Sequence, residues 1–238
     1  MNEKEILLNE EKHSLSSLKM LTEVLRSPNG CPWDREQDHH SIRNDMIEEC
    51  YEVVEAIDTD DVSLLREELG DVLFQVFFHA QIETEKGNFT IEDVVQDICD
   101  KMIYRHPHVF ADVQADTSEK VLENWETLKQ AEKQRKDTKA SMEAIPPMLP
   151  ALMRASKVAG KALKEDYDFG SEAEIREQMN RCLMAIGTEA EEANLAKLSF
   201  LASILSKKHG GDLEAALQKE TNAFINQYKN TKNMEEKK

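Results

Sequence analysis

The chain has 238 residues, a formal charge of −17, 32% charged and 6% aromatic residues, 8 Gly and 6 Pro. That balance argues against a general nucleic-acid binder, which needs a basic face, but a bound cation can invert the local sign and so leaves a nucleotide substrate open. Few breakers among many Leu, Ala, Glu and Lys predict an all-α protein of one large domain or two small ones. Cys31, Cys50, Cys99 and Cys182 show no CxxC spacing and read as reduced thiols. No signal peptide opens the chain and no apolar run nears membrane-spanning length, so a soluble, cytoplasmic protein without membrane contact is expected.

Leu15, Leu18, Leu21, Val24 and Leu25 recur at helical spacing and predict a helix from about Glu3 to Arg26. The turn residues Ser27-Pro28-Asn29-Gly30 end it. Cys31 to His40 follows as a loop without periodicity, in which Trp33 either stacks on a base or plugs the end of the bundle. Ser41 is the expected N-cap of a second helix reaching about Ile57. A third helix, Val62 to Lys86, stops at Gly87-Asn88, and Thr90 caps a fourth from Ile91 to about Tyr104. Lys101 and Arg105, one turn apart at its end, either complement the helix dipole or grip phosphate, Arg being the better group for the second task.

Arg105-His106-Pro107-His108-Val109-Phe110 reads as a rigid turn with Val109 and Phe110 packed inward, its histidines lacking partners for zinc. Ser118 to about Arg135 is a fifth helix carrying Trp125 and Lys129 one turn apart. A first domain over 1–135 is then followed by a linker, 136–148, that includes Ile145-Pro146-Pro147. Helices near 149–165, 172–186, 189–208 and 212–229 make a second domain over 149–229, and 230–238 is a flexible tail.

The chemistry gathers on the second and third helices. Residues three or four apart share a helix face, so Glu48, Glu49 and Glu52 cluster on one helix and Glu68 and Asp71 on the next. The short polar connection Thr59-Asp60-Asp61 folds the two helices antiparallel and brings these acids together. Carboxylates packed so closely raise one another's pKa unless a cation sits among them. Hard divalent cations take oxygen ligands, and Mg²⁺ completes its shell with water and phosphate oxygens. The cluster therefore reads as a Mg²⁺ site for a phosphate-bearing substrate.

The plainer reading, acids facing water, is accepted for Glu55, Glu67, Glu83 and Glu85. Around the cluster, Ile47, Tyr51, Val54 and Ile57 form one apolar stripe and Leu69, Val72, Leu73, Val76 and Phe77 another, which predicts acids at the margin of a buried seam. Glu68, Asp71, Gln75 and His79 make a polar stripe in which His79 reads as a hydrogen-bonded core histidine. A di-iron bundle needs Glu-x-x-His on two helices, and no helix supplies that spacing beside the cluster.

The second half is a weak copy of the first. Glu48 to Ile57 aligns with Glu177 to Ile186, and Leu69 to Phe74 with Leu195 to Phe200. The apolar frame survives, but Glu49 becomes Gln178, Glu52 becomes Arg181, Glu68 becomes Asn194 and Asp71 becomes Lys197. On a looser alignment Arg105 becomes Gln227. Cations in two ligand positions disfavour Mg²⁺ there. Arg181 and Lys197 read as salt-bridging residues, with an anionic regulator as the other reading.

Glu48-Glu49-x-x-Glu52 followed by Glu68-x-x-Asp71 resembles the MazG-type nucleoside triphosphate pyrophosphohydrolases of the all-α NTP pyrophosphatase superfamily. Gly30-Cys31-Pro32-Trp33-Asp34, Phe78-His79-Ala80, Arg105 to Phe110, and Trp125-x-x-x-Lys129 are similar to the family as well. The likeness covers about 15–135 and continues over 149–229 as a two-repeat form with a degenerate C-terminal repeat, opened by Leu149-Pro150-Ala151-Leu152.

The resemblance implies an all-α bundle completed by homodimerisation. It implies Mg²⁺-dependent hydrolysis of nucleoside triphosphates to monophosphate and pyrophosphate, with Mn²⁺ as a substitute, in nucleotide-pool cleaning. By position it makes Glu49, Glu52, Glu68 and Asp71 metal ligands and Glu48 a water-orienting base. Lys101 and Arg105 would meet the phosphates, Trp33 and Trp125 the base, with Lys129 counted among the substrate residues. The alternative is a non-catalytic nucleotide-binding regulator or interaction protein, against which the intact acids of the first half speak.

Overall fold

Helix caps set the architecture, and the computed structural model describes it for residues 2–111, 113, 115–132, 142–187 and 190–235. The described residues are helical or irregular, with no strand among them, and divide into two compact units, Met1–Trp125 and Glu126–Lys238.

The helix expected from Glu3 to Arg26 is two helices, α1 (Glu3–Asn9) and α2 (Leu15–Arg26). Residues 10–14 carry no apolar side chain to bury, and Ser14 caps α2 by accepting from the Ser17 N–H. Inside the expected loop lies a short helix, α3 (Pro32–Glu36), begun by a proline whose missing N–H is no loss in a first turn. Ser41 does not cap α4 (Arg43–Asp58): its hydroxyl donates to the Asp38 carbonyl, while the Asp38 carboxylate takes the N–H groups of His40 and Ser41. That local turn occupies the serine, and Ile42 starts the helix without a side-chain cap.

Asp61 caps α5 (Val62–Lys86) through the N–H groups of Ser63 and Leu64. Gly87 closes α5 at φ 73°, a left-handed position that favours glycine. Thr90 and Asp93 form the capping box of α6 (Ile91–Arg105). Then come α7 (Pro107–Phe110) and α8 (Ser118–Glu132). The expected inward turn at 105–110 is corrected here. Pro107 starts a helical turn, closed by the Ala111 N–H on the Pro107 carbonyl, and leaves Val109 and Phe110 64% and 61% exposed.

In the first unit α5 is the central element, packed by α2, α4 and α6. Ile42, Phe78 and Ile82 bury against Phe74, and Phe77, Ala80 and Ile91 against Leu18, Val76 and Val94. The expected buried seam is only half made. Phe77 is buried, but Ile47, Tyr51, Val54 and Ile57 on α4 stand 48–55% exposed and Leu69 is 51% exposed. Among the described residues α5 is the element that chiefly packs on α4, and the outer apolar stripe of α4 stays half exposed.

The second unit holds α9 (Ala151–Lys164), α10 (Glu172–Met184), α11 (Glu191–Lys208) and α12 (Leu213–Glu235). Ala159, Ile175, Cys182, Leu201 and Ile204 form its core. The expected linker, 136–148, lies outside the described residues up to 141; within the rest of it Ile145 is buried. Helix α12 continues through 230–235, part of the expected tail, and 236–238 lie outside the described residues.

Candidate functional site

The α4–α5 hairpin is held by its short connection, where Asp60 adopts φ 54°, and by packing along both helices. A step of three on each helix then sets Glu49 and Glu52 against Glu68 and Asp71. One carboxylate oxygen each from Glu49, Glu68 and Asp71 lies within 4.8 Å of the others. Glu52 lies beside the group, near enough for its charge to act on both Glu49 and Glu68. Burial pushes Glu49 up, helped by the Asp71 and Glu52 charges. Glu68, only 7% exposed, is likewise pushed up by burial and then by Glu52, Asp71 and Glu67. Glu48 is exposed at the rim, close enough for its charge to raise Glu49.

Linkage gives this cluster a stability signature. A carboxyl raised in the fold costs nothing below its unfolded value, near 4.5 here, and the protein loses stability as pH rises from there through the folded value. Glu68→Gln, with no added cation and at pH 7.5, is therefore expected to raise the melting temperature of the first unit. At pH 4 the gain should vanish, and differential scanning calorimetry at the two pH values checks this.

The donor set fits a hard divalent cation. Glu49, Glu68 and Asp71 each offer a carboxylate oxygen, with Glu52 beside them, and the 4.8 Å spread of the three needs only small side-chain rotations to reach the ~4 Å span of opposite ligands around Mg²⁺. No second group of three potential ligands occurs among the described residues. In the second unit Arg181, aligned with Glu52, is ion-paired to Glu177 at 2.8 Å, as the salt-bridge reading expects.

The other expected site residues are distributed more widely. Arg105 is 6% exposed, with its guanidinium carbon 5.6 Å from the Trp125 ring centre, a cation–π contact within the first unit. Lys101 is half-buried one turn earlier on α6, and Trp33 stands 59% exposed on α3. Lys129 follows Trp125 by one turn on α8, the helix within which the boundary between the two compact units falls.

One acid read as water-facing is not, and another, exposed as expected, also holds an arginine. The Glu83 carboxylate accepts from Lys86 Nζ (2.7 Å) and Asn88 Nδ2 (2.6 Å) and lies 2.6 Å from His39 Nε2. These three partners, Lys86 first, lower its pKa to about 2. Glu85 holds Arg26 through two bonds of 2.8 and 2.9 Å. Glu55 and Glu67 are exposed as expected. His79 is indeed hydrogen-bonded, and its partner is His39, Nδ1 to Nδ1 at 2.8 Å. Sequence reasoning passed over His39; the one available signal was Glu83 lying one turn beyond His79 on the same stripe.

Among the described residues no helix is long and apolar enough to cross a membrane. The profile of the MazG nucleotide pyrophosphohydrolase domain matches residues 37–110, which contain all five acids. The chain is 40% identical over 224 residues to the Thermotoga maritima nucleoside triphosphate pyrophosphohydrolase/pyrophosphatase MazG, covering 92% of this chain and 86% of that one. It is 38% identical over 227 residues to the Escherichia coli nucleoside triphosphate pyrophosphohydrolase, with 91% and 86% covered. A Bacillus subtilis protein, the uncharacterized YabN, is 49% identical over 154 residues; the match takes in 63% of this chain and 31% of that longer one.

Proposed function

The chain belongs to the MazG family of nucleoside triphosphate pyrophosphohydrolases, and on that premise we propose that it hydrolyses nucleoside triphosphates to monophosphate and pyrophosphate on the α4–α5 acids, with Mg²⁺ bound. One observation carries the assignment to the N-terminal repeat. Glu49, Glu68 and Asp71 meet on its hairpin with Glu52 beside them, while the aligned positions of the second repeat hold Gln178, Arg181, Asn194 and Lys197.

Glu49, Glu52, Glu68 and Asp71 would hold the cation. When bound, Mg²⁺ supplies neutralisation of phosphate charge and a bound water of lowered pKa. Glu48, exposed beside Glu49, takes the proton from the attacking water at a carboxylate oxygen. Arg105 donates to phosphate oxygens and stabilises charge that grows on them, and Lys101 adds a second cation a turn away. Trp33 and Trp125 offer flat faces to the base, and Lys129 completes the substrate set. The net charge of −17 supports a free nucleotide over a nucleic acid polymer. Incubation with each NTP and Mg²⁺ should yield monophosphate and pyrophosphate in equal amounts. Orthophosphate as the direct product, or tight nucleotide binding without turnover, contradicts the reading; the second result would favour a nucleotide-binding regulator.

The same hairpin supports a homodimer. Ile47, Tyr51, Val54 and Ile57 leave an apolar stripe half exposed beside the acids, and such a face is stable when a like face covers it. Val54→Asp is expected to turn a dimer into a monomer in sedimentation equilibrium, and turnover should fall with it. A wild-type chain that sediments as a monomer at micromolar concentration would remove the dimer.

A further inference from the structure

We propose that His39 and His79 form a one-proton clasp that positions the Trp33 segment and the entry to α4 for nucleotide binding. The consequence for nucleotide rests on the function proposed above; the clasp itself does not.

Residues 31–41 have no buried cluster of their own; hydrogen bonds from Cys31 to Leu25 and from Arg35 to Pro28 hold their start, and three further points, counting Ile42, fasten the rest to the unit. Ile42 buries against Phe78 and Ile82. Arg26 donates to the carbonyls of Asp34 and Gln37, is held by Glu85, and lies 5.2 Å from the Phe78 ring centre. The third point is His39 on His79, with nearly parallel rings 5.0 Å apart. Apolar packing and an arginine pair are indifferent to pH between 5 and 8; two imidazoles are not.

The proton count follows from the acceptors. Two Nδ1 atoms 2.8 Å apart form a hydrogen bond only if one carries hydrogen and the other is bare. Glu83 is ionised at neutral pH and fixes hydrogen on His39 Nε2. Neutral His39 therefore presents a bare Nδ1, and His79 donates to it. A first added proton can be accommodated on either ring. A second places N–H against N–H, and like charges then force the rings apart.

The charged neighbours are Lys86 on Glu83, Asp38 and His40 in the turn around His39, and the Arg26–Glu85 pair between α2 and α5. Burial, then His39, lowers the His79 pKa from 6.5. A histidine so lowered contributes stability that is fully present above its unfolded value and is lost as pH falls through its folded value. The clasp therefore opens on the acid side of 6.5. Opening it frees Trp33 and the start of α4, six residues before Glu48, so it should weaken nucleotide capture more than chemistry. His39 and His79 are positioning residues in this account.

The test is the pH dependence of KM for an NTP from pH 7.5 to 5.5 in the wild type and in His79→Asn, with ¹⁵N imidazole NMR of the full-length wild type. Proton uptake by the nucleotide is common to both proteins and cancels in the ratio. The expected result is a KM that rises about fivefold more in the wild type than in the variant, with kcat within about twofold, and two rings that titrate in separate, coupled steps. His39→Gln, which keeps a side-chain amide near Glu83, should flatten the profile too. Equal KM profiles in wild type and variants, or two rings titrating independently at ordinary values, overturn the clasp. If neither protein turns over nucleotide, the proposed function fails while the ring titration still decides the clasp; if the variants do not fold, the wild-type NMR decides it.

Discussion

Asp71→Asn is expected to cost more than about 100-fold in kcat/KM for the best NTP while leaving helical content unchanged. The substitution preserves size and removes one negative oxygen from a group whose oxygens lie within 4.8 Å of one another. Losing even the outer-shell partner of a metal ligand commonly costs ~10–100-fold, and Asp71 is proposed as a ligand itself. The fold has little to lose. Asp71 is exposed, and its charge raises Glu49, so its removal relieves repulsion. Steady-state kinetics with circular dichroism separates the two effects. Loss of turnover together with loss of helix would mean that the acid is structural, and near-normal turnover would move the active centre elsewhere.

Arg105→Ala should lower kcat by about 10²–10³, the range for removing one positioned donor of transition-state charge. Arg105 is 6% exposed and lies over Trp125, which holds its plane in place before any substrate arrives. Arg105→Lys keeps the positive charge but not the planar fork or the stacking, so it should restore only part of the rate. An equal rate for the Lys and Arg proteins would reduce Arg105 to a point charge. A melting temperature that falls in step with activity in both variants would reduce it to a packing residue.

Much of the fold is written in local chemistry. Thr90 with Asp93, Asp61, and Gly87 in a left-handed turn each fix a helix end where the sequence places one. Elsewhere two local options compete. Ser14 can continue a helix or cap a new one, and Ser41 can cap α4 or close a turn with Asp38; in both cases the hydrogen bond made in the fold decides. Periodicity also reveals that α4 is amphipathic without saying what covers it, which is why a seam expected to be buried is half exposed in one chain.

The acids of the candidate site were legible for a different reason. Helical spacing plus a short connection brings Glu49, Glu52, Glu68 and Asp71 together whatever the rest of the chain does. His39 was not legible, because it meets His79 across 40 residues and through a turn whose path no spacing rule predicts. Glu83 was misread with it. Its three partners come from a loop, its own helix and the turn after that helix, and only the last two are near in sequence.

The most direct test of the metal site proposed on the hairpin is a calorimetric titration of the full-length chain with Mn²⁺, read as heat per site, beside the same titration of Asp71→Asn. Saturable binding to the wild type that disappears in the variant is the predicted result. Binding of equal strength in both proteins would contradict it.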